Sequence, residues 1–134
     1  MQLIVNIDVD DLEQAIGFYE AALGLRVGRR LFGGSVAEMT GAAAPIHLLL
    51  KPAGSIPVAS SPTAREYPRH WTPIHLDFVV DDLSAAVTRV IDAGGRLEGQ
   101  ITSYAWGQIA TLSDPFGHGF CVLQLSTSGY DAAA

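Results

Sequence analysis

The chain has 134 residues, of which 49% are hydrophobic and 16% charged, and its formal net charge is −6. This length and composition predict one globular domain and argue against a disordered chain. The acidic balance, with only eight basic residues and no long basic stripe, excludes a nucleic-acid-binding surface, which needs several clustered cations.

The sequence also predicts a cytoplasmic location. It has no uninterrupted apolar run of about 18 residues, so no membrane partner is expected. The start, MQLIVNIDVDD, lacks the basic end and long apolar stretch of a signal peptide. The single cysteine, Cys121, cannot form an intramolecular disulfide and gives no reason to expect an oxidising compartment.

The first half of the chain predicts a strand, a helix and three further strands. Apolar residues alternate over residues 2–9, as in a strand with one face on a core. The next stretch, DDLEQAIGFYEAALG, has helical spacing, with Asp10 and Glu13 as a capping box and Gly24 as the helix stop. Strands are predicted over residues 25–32, 35–40 and 45–51.

The second half repeats this order. A strand is predicted over residues 74–80, followed by the helix DDLSAAVTRVIDAGG, which closes on Gly94 and Gly95. Further strands are predicted over residues 96–103, 106–113 and 119–125. One constant shift without a gap places Asp10 on Asp81 and Gly24 on Gly95, so the chain contains an internal repeat.

These elements define the expected domain organisation. A single domain over residues 1–126 contains module one (1–51), a linker (52–72) and module two (73–126), and residues 127–134 form a frayed tail. Four prolines interrupt the linker, whose aromatic and basic end at residues 67–71 is either a pocket wall or a crossover covering core.

The doubled unit, the V-D-D-L junction of each copy, FYEAALGL and DPFGHGFCVLQ resemble the vicinal oxygen chelate superfamily over about residues 2–125. That superfamily includes glyoxalase I, bleomycin resistance proteins and extradiol dioxygenases. The resemblance implies an α+β fold of two tandem βαβββ modules that form a curled mixed sheet, with a concave cavity for a small molecule. It also implies a homodimer.

The resemblance further implies which residues line the site. The expected ligand-binding residues are Asn6, His47, Trp71, His75, Asp77, Tyr104, Trp106 and Cys121. The family's metal positions fall on His47, His75 and Cys121, with Ile4 where a fourth ligand would stand. Two imidazoles and a thiolate suit zinc or another divalent transition metal. The alternative for each is a structural role, because cysteine and strand histidines are often buried.

Three functions follow as hypotheses. The first is a metal-independent protein of the bleomycin-resistance kind that binds a small organic molecule and needs no cofactor. The second is a zinc-dependent lyase or isomerase that uses His47, His75 and Cys121. Glyoxalase I activity is disfavoured because this ligand set lacks the carboxylate that acts as base. The third is a catalytically silent dimerisation module. His118, between two glycines of a predicted hairpin tip, is expected at the surface.

Overall fold

The computed structural model describes residues 1–134, which divide into two compact units, residues 1–68 and 69–134. Each unit contains one strand, one helix and three further strands. The first unit comprises β1 (Val5–Val9), α1 (Leu12–Leu23), β2 (Arg26–Leu31), β3 (Val36–Thr40) and β4 (Ile46–Leu50). The second comprises β5 (Asp77–Val79), α2 (Leu83–Asp92), β6 (Arg96–Tyr104), β7 (Gly107–Ser113) and β8 (Gly119–Leu125).

Each unit has its own four-stranded mixed sheet with the same topology. The strand order is β1-β4-β3-β2 in the first sheet and β5-β8-β7-β6 in the second. In both sheets the first strand of the unit runs parallel to the last, and the other pairs are antiparallel. This arrangement confirms the predicted α+β fold of two tandem βαβββ modules.

The two helices begin alike but end differently. Asp11 caps α1, and its side chain accepts a hydrogen bond from the Gln14 N–H at 3.0 Å, so the predicted cap at Asp10 was wrong by one residue. Gly24 ends α1 in the left-handed conformation, as predicted. Asp82 caps α2 in the same way. α2 is two residues shorter than α1, and its end is followed by Gly94 with a positive φ, rather than by Gly95, which is the repeat counterpart of Gly24.

The core lies between each helix and one face of its own sheet. In the second unit, Leu83 and Val90 of α2 are fully buried, as are Leu112 and Val122 on the strands. Burial of each such side chain contributes roughly 1.5–3 kcal/mol. Side chains alternate along a strand, so the neighbouring positions point to the opposite face of the sheet, which no helix covers.

Two strands are shorter than the sequence predicts. β1 begins at Val5 and β5 has only three residues, because β5 pairs with β8 only from Asp77 to Val79. Within the predicted linker, residues 52–68 belong to the first unit and residues 69–72 to the second. In the stretch predicted to fray, Gly129–Ala133 form a 3-10 helix, and Tyr130 lies 5.3 Å from Trp106 between ring centroids.

Neither α-helix has the length and apolar character required to cross a membrane.

Candidate functional site

The uncovered face of each sheet carries one row of polar side chains in register across all four strands. We call these the first-sheet row and the second-sheet row. The first-sheet row is Asn6, His47, Glu38 and Arg29. The second-sheet row is Asp77, Cys121, Thr111 and Glu98. Residues in register on neighbouring strands point to the same face, so each row brings together side chains that are far apart in sequence.

In the first-sheet row, Glu38 is paired with both of its neighbours, Arg29 and His47. Arg29 donates two hydrogen bonds to Glu38, from Nε at 2.8 Å and Nη2 at 2.7 Å. His47 Nε2 lies 3.3 Å from the second Glu38 oxygen. The Arg29 guanidinium, with the His47 imidazole, lowers the pKa of Glu38 to about 2. The carboxylate is therefore held ionised by partners within its own module.

Replacing Glu38 by glutamine is expected to destabilise the protein more at pH 7 than at pH 3. The pKa of Glu38 is about 2 in the fold against an ordinary value of 4.5. Its ionised form therefore stabilises the fold above about pH 4.5, and this contribution is lost as the pH falls toward 2. Urea unfolding of both proteins at the two pH values measures the difference. An equal loss at both values would contradict the assignment, and Glu20→Gln on the exposed side of α1 is the control.

The second-sheet row contains a thiol and two carboxylates. Cys121 is buried, and its Sγ lies 3.7 Å from the Thr111 hydroxyl. Burial raises the pKa of the Cys121 thiol, and the neighbouring Asp77 charge raises it further. The thiol is thus a protonated neighbour of Asp77 at neutral pH rather than an activated nucleophile.

A short segment lies against this row. We call Arg69–Trp71 the strap. Trp71 lies against Gly119 so closely that a Cβ on Gly119 would overlap the indole ring. The Arg69 guanidinium lies 5.1 Å from the ring centroid of Trp71 and forms a two-fold ion pair with Glu98, at 2.7 Å for Nη2. This pairing lowers the pKa of Glu98. The strap therefore connects an exposed aromatic ring to one end of the second-sheet row.

His75 stands at the other end of the row. Its ring lies 5.2 Å from Trp71 between centroids, and Nε2 is 3.3 Å from Asp77 Oδ1. Possible metal-ligand atoms of His75, Asp77 and Cys121 all lie within 4.8 Å of one another. The structure thus brings together two of the three predicted metal ligands, His75 and Cys121, and adds Asp77. The third, His47, belongs to the first module, where its neighbour is Glu38.

The donor chemistry of His75, Asp77 and Cys121 fits zinc. Nitrogen, oxygen and sulfur donors are all zinc ligands. His75 Nε2 and Asp77 Oδ1, at 3.3 Å, already have about the separation found around a tetrahedral ion, and the Cys121 sulfur, within 4.8 Å of both, would need to approach them by about 1 Å at most. The predicted ligand set lacked a carboxylate, whereas this cluster includes one. The protonated Cys121 thiol must lose its proton to coordinate, so a metal would bind more weakly at low pH.

Of the remaining predicted site residues, Asn6 lies in the first-sheet row. Tyr104 and Trp106 lie at the hairpin between β6 and β7, where their rings stack 5.1 Å apart. Tyr104 is half exposed. These two rings form an aromatic surface with Tyr130, whose ring contacts Trp106.

The sequence interpretation missed several residues of both rows. Glu38, Thr111 and Glu98 lie on predicted strands, and alternation alone places them opposite the core positions. That signal could have identified them as members of the uncovered face. Arg69 lies in an aperiodic segment, and no sequence pattern indicates its pairing with Glu98.

Comparisons with known proteins agree with the fold. A family model described as a glyoxalase-like domain matches residues 4–123. The anthracycline biosynthesis protein DauV of Streptomyces sp. (strain C5) is 33% identical over 97% of this chain, which covers 43% of that protein. The chain therefore spans less than half the length of this relative.

Two solved structures are similar in fold. The hypothetical protein SA1046 from S. aureus matches with a TM-score of 0.72 and 21% identity, over 92% of this chain and 93% of its own. TnmS3, an antibiotic-binding protein from Streptomyces sp. CB03234, matches with a TM-score of 0.64 and 23% identity, over 94% and 96% of the two chains.

Proposed function

This chain belongs to the glyoxalase-like domain family of the vicinal oxygen chelate superfamily, and we propose that it binds a small organic molecule without a resident metal ion. The proposed binding surface is the uncovered face of the second sheet. One observation carries the proposal: the exposed Trp71 ring lies beside a row of side chains that donate and accept hydrogen bonds. An apolar ring with a few fixed polar groups is the usual composition of a ligand site.

The ligand we propose is a flat aromatic molecule with hydroxyl groups and a cationic amine, as in the anthracyclines. Trp71 supplies a stacking surface, while Asp77 and Thr111 accept hydrogen bonds from hydroxyl or ammonium groups. The chain's net charge of −6 favours a cationic ligand. The similarity to DauV, an anthracycline biosynthesis protein, and to TnmS3, an antibiotic-binding protein, supports the same class.

Calorimetric titration of chelator-treated protein with the anthracycline daunorubicin tests this proposal. We expect saturable binding that Trp71→Ala weakens about tenfold, since loss of an aromatic pair costs roughly 0.5–1.5 kcal/mol. Phe32→Ala, which removes an exposed ring from the first module, is the matched control and should leave the affinity unchanged. Absence of binding, or equal affinity in Trp71→Ala, would overturn the proposed ligand site.

The cluster of His75, Asp77 and Cys121 favours a second candidate, a zinc-dependent lyase or isomerase. A bound zinc ion with an open position would polarise a substrate carbonyl or activate a water molecule. Metal analysis of protein purified without chelator separates the two candidates. Stoichiometric zinc that disappears in both His75→Ala and Cys121→Ala would favour the enzyme, whereas the leading proposal expects none.

We further propose a cytoplasmic homodimer. The free Cys121 suits a reducing compartment. Exposed apolar side chains at Ile4, Ile74 and Val79 support association with a second copy. Light scattering of the purified protein would give the mass in solution, and a monomer at micromolar concentration would rule out a stable homodimer.

A further inference from the structure

A pair of histidines lies outside both rows. His118 was expected at the surface of a hairpin tip, but in the structure it is only partly exposed and faces His70. His70 Nε2 and His118 Nδ1 are 3.0 Å apart, and the rings meet edge to face with centroids 4.8 Å apart. We propose that these two nitrogens form a binding site for a divalent transition metal ion, above all Cu²⁺. This proposal does not depend on the proposed function.

The backbone around the pair is held in place on both sides. The His70 N–H donates to the Gly117 carbonyl at 2.9 Å, which fixes the strap on the turn that carries His118. Within that turn, one oxygen of the buried Asp114 accepts hydrogen bonds from the N–H groups of Phe116 at 2.8 Å and His118 at 2.9 Å. The backbone at both histidines is therefore fixed before an ion binds, so that only the two side chains remain to be ordered.

The spacing of the two nitrogens fits coordination by one ion. With metal–nitrogen bonds of about 2.0–2.1 Å, nitrogens 3.0 Å apart subtend an angle of about 94° at the metal. This is the angle between adjacent ligands in square-planar and octahedral geometry, which Cu²⁺ and Ni²⁺ adopt. Tetrahedral zinc requires a wider separation, of about 3.4 Å.

Two neutral imidazoles can change from a mutual hydrogen bond to joint coordination of one ion by moving a single hydrogen. In the neutral pair one of the facing nitrogens donates its hydrogen to the other. When an ion takes both lone pairs, that hydrogen moves to the remaining nitrogen of the same ring. Between two neutral imidazoles, this rearrangement releases no proton.

Charged groups near the pair favour a cation. Asp114 is buried in the same turn and contributes a negative charge. Arg69, the arginine of the strap, forms its ion pair with Glu98 and interacts electrostatically with Asp114 as well. With two imidazole ligands and water in the remaining positions, the order of divalent affinities places Cu²⁺ above Ni²⁺ and Zn²⁺.

The test uses two reciprocal double variants, since the chain has four histidines in all. Untagged, chelator-treated protein is titrated with Cu²⁺ and followed by calorimetry and electron paramagnetic resonance. We expect one tight equivalent with hyperfine structure from two imidazole nitrogens. His47→Ala/His75→Ala should retain both signals, and His70→Ala/His118→Ala should weaken binding at least tenfold. Cys121→Ser should also retain the two-nitrogen spectrum.

Three results would overturn the proposal. They are no Cu²⁺ binding in the wild-type protein, loss of binding in His47→Ala/His75→Ala or Cys121→Ser, and unchanged binding in His70→Ala/His118→Ala. Circular dichroism monitors folding of the variants. If the His70 and His118 double variant does not fold, the wild-type spectrum and a rise in melting temperature with Cu²⁺ in His47→Ala/His75→Ala decide the question.

Discussion

Replacing Gly107 by alanine is expected to lower the free energy of unfolding by about 4 kcal/mol, through backbone strain and overpacking together. Gly107 has φ +148°, and a Cβ there would overlap the Gln124 carbonyl oxygen and lie 2.9 Å from the Leu125 Cα. Both atoms belong to the backbone of β8, which pairs with β7 along its whole length. Gly107 and Leu125 are the last pair of this ladder, and the hydrogen bond from the Ser126 N–H to the Trp106 carbonyl at 2.9 Å holds the two chains together just beyond it, so this backbone cannot move aside as a side chain can.

Gly99→Ala is the matched control for this substitution. Gly99 lies in the same sheet with φ +76°, but a Cβ there has no neighbour within 4 Å. It should cost only the strain of the left-handed conformation, about 1–2 kcal/mol. Chemical denaturation of the two variants gives the comparison. Equal losses would mean that the contact with β8 contributes nothing to the requirement for glycine at position 107.

Gly119→Ala is expected to displace Trp71 and to weaken binding of daunorubicin about tenfold, as Trp71→Ala does. The new Cβ would overlap the indole ring, and because half of the Trp71 surface is exposed, the ring can swing away without unfolding the sheet. The double variant Gly119→Ala/Trp71→Ala should bind no more weakly than either single variant, since both changes remove one contact.

Tryptophan fluorescence and calorimetry measure these effects. Gly17→Ala is the control, because a Cβ at this helical position meets nothing within 4 Å and should instead stabilise α1 by roughly 0.5–1 kcal/mol. Full affinity in Gly119→Ala would show that the position of Trp71 over Gly119 does not matter for the ligand. Additive losses in the double variant would show that the two residues act separately.

The fold could be predicted almost entirely from sequence. Period-two alternation and helical spacing are local signals, so both helices and all eight strands were identified, mostly within one or two residues of their ends. β5 was the main exception, because its apolar residues extend over residues 74–80 whereas only Asp77, Phe78 and Val79 find partners on β8. Strand length depends on a partner strand that local pattern does not contain.

The candidate site could be predicted only in part. Asp77, His75 and Cys121 were all predicted to line the ligand site, but the predicted metal ligands were His75 and Cys121 with His47, whereas the structure groups them with Asp77. Their proximity follows from the register of β5 on β8, and register is a property of paired strands.

By itself the sequence determined the duplication, the α+β modules and the polarity of each strand face, because these depend on the order of residues within about ten positions. The tertiary structure decided which polar residues form a row, that Trp71 lies on Gly119 and that His70 meets His118. His70 and His118 are 48 positions apart, as are Trp71 and Gly119, and Asp77 lies on a different strand from its partner Cys121, so only folding brings these residues together.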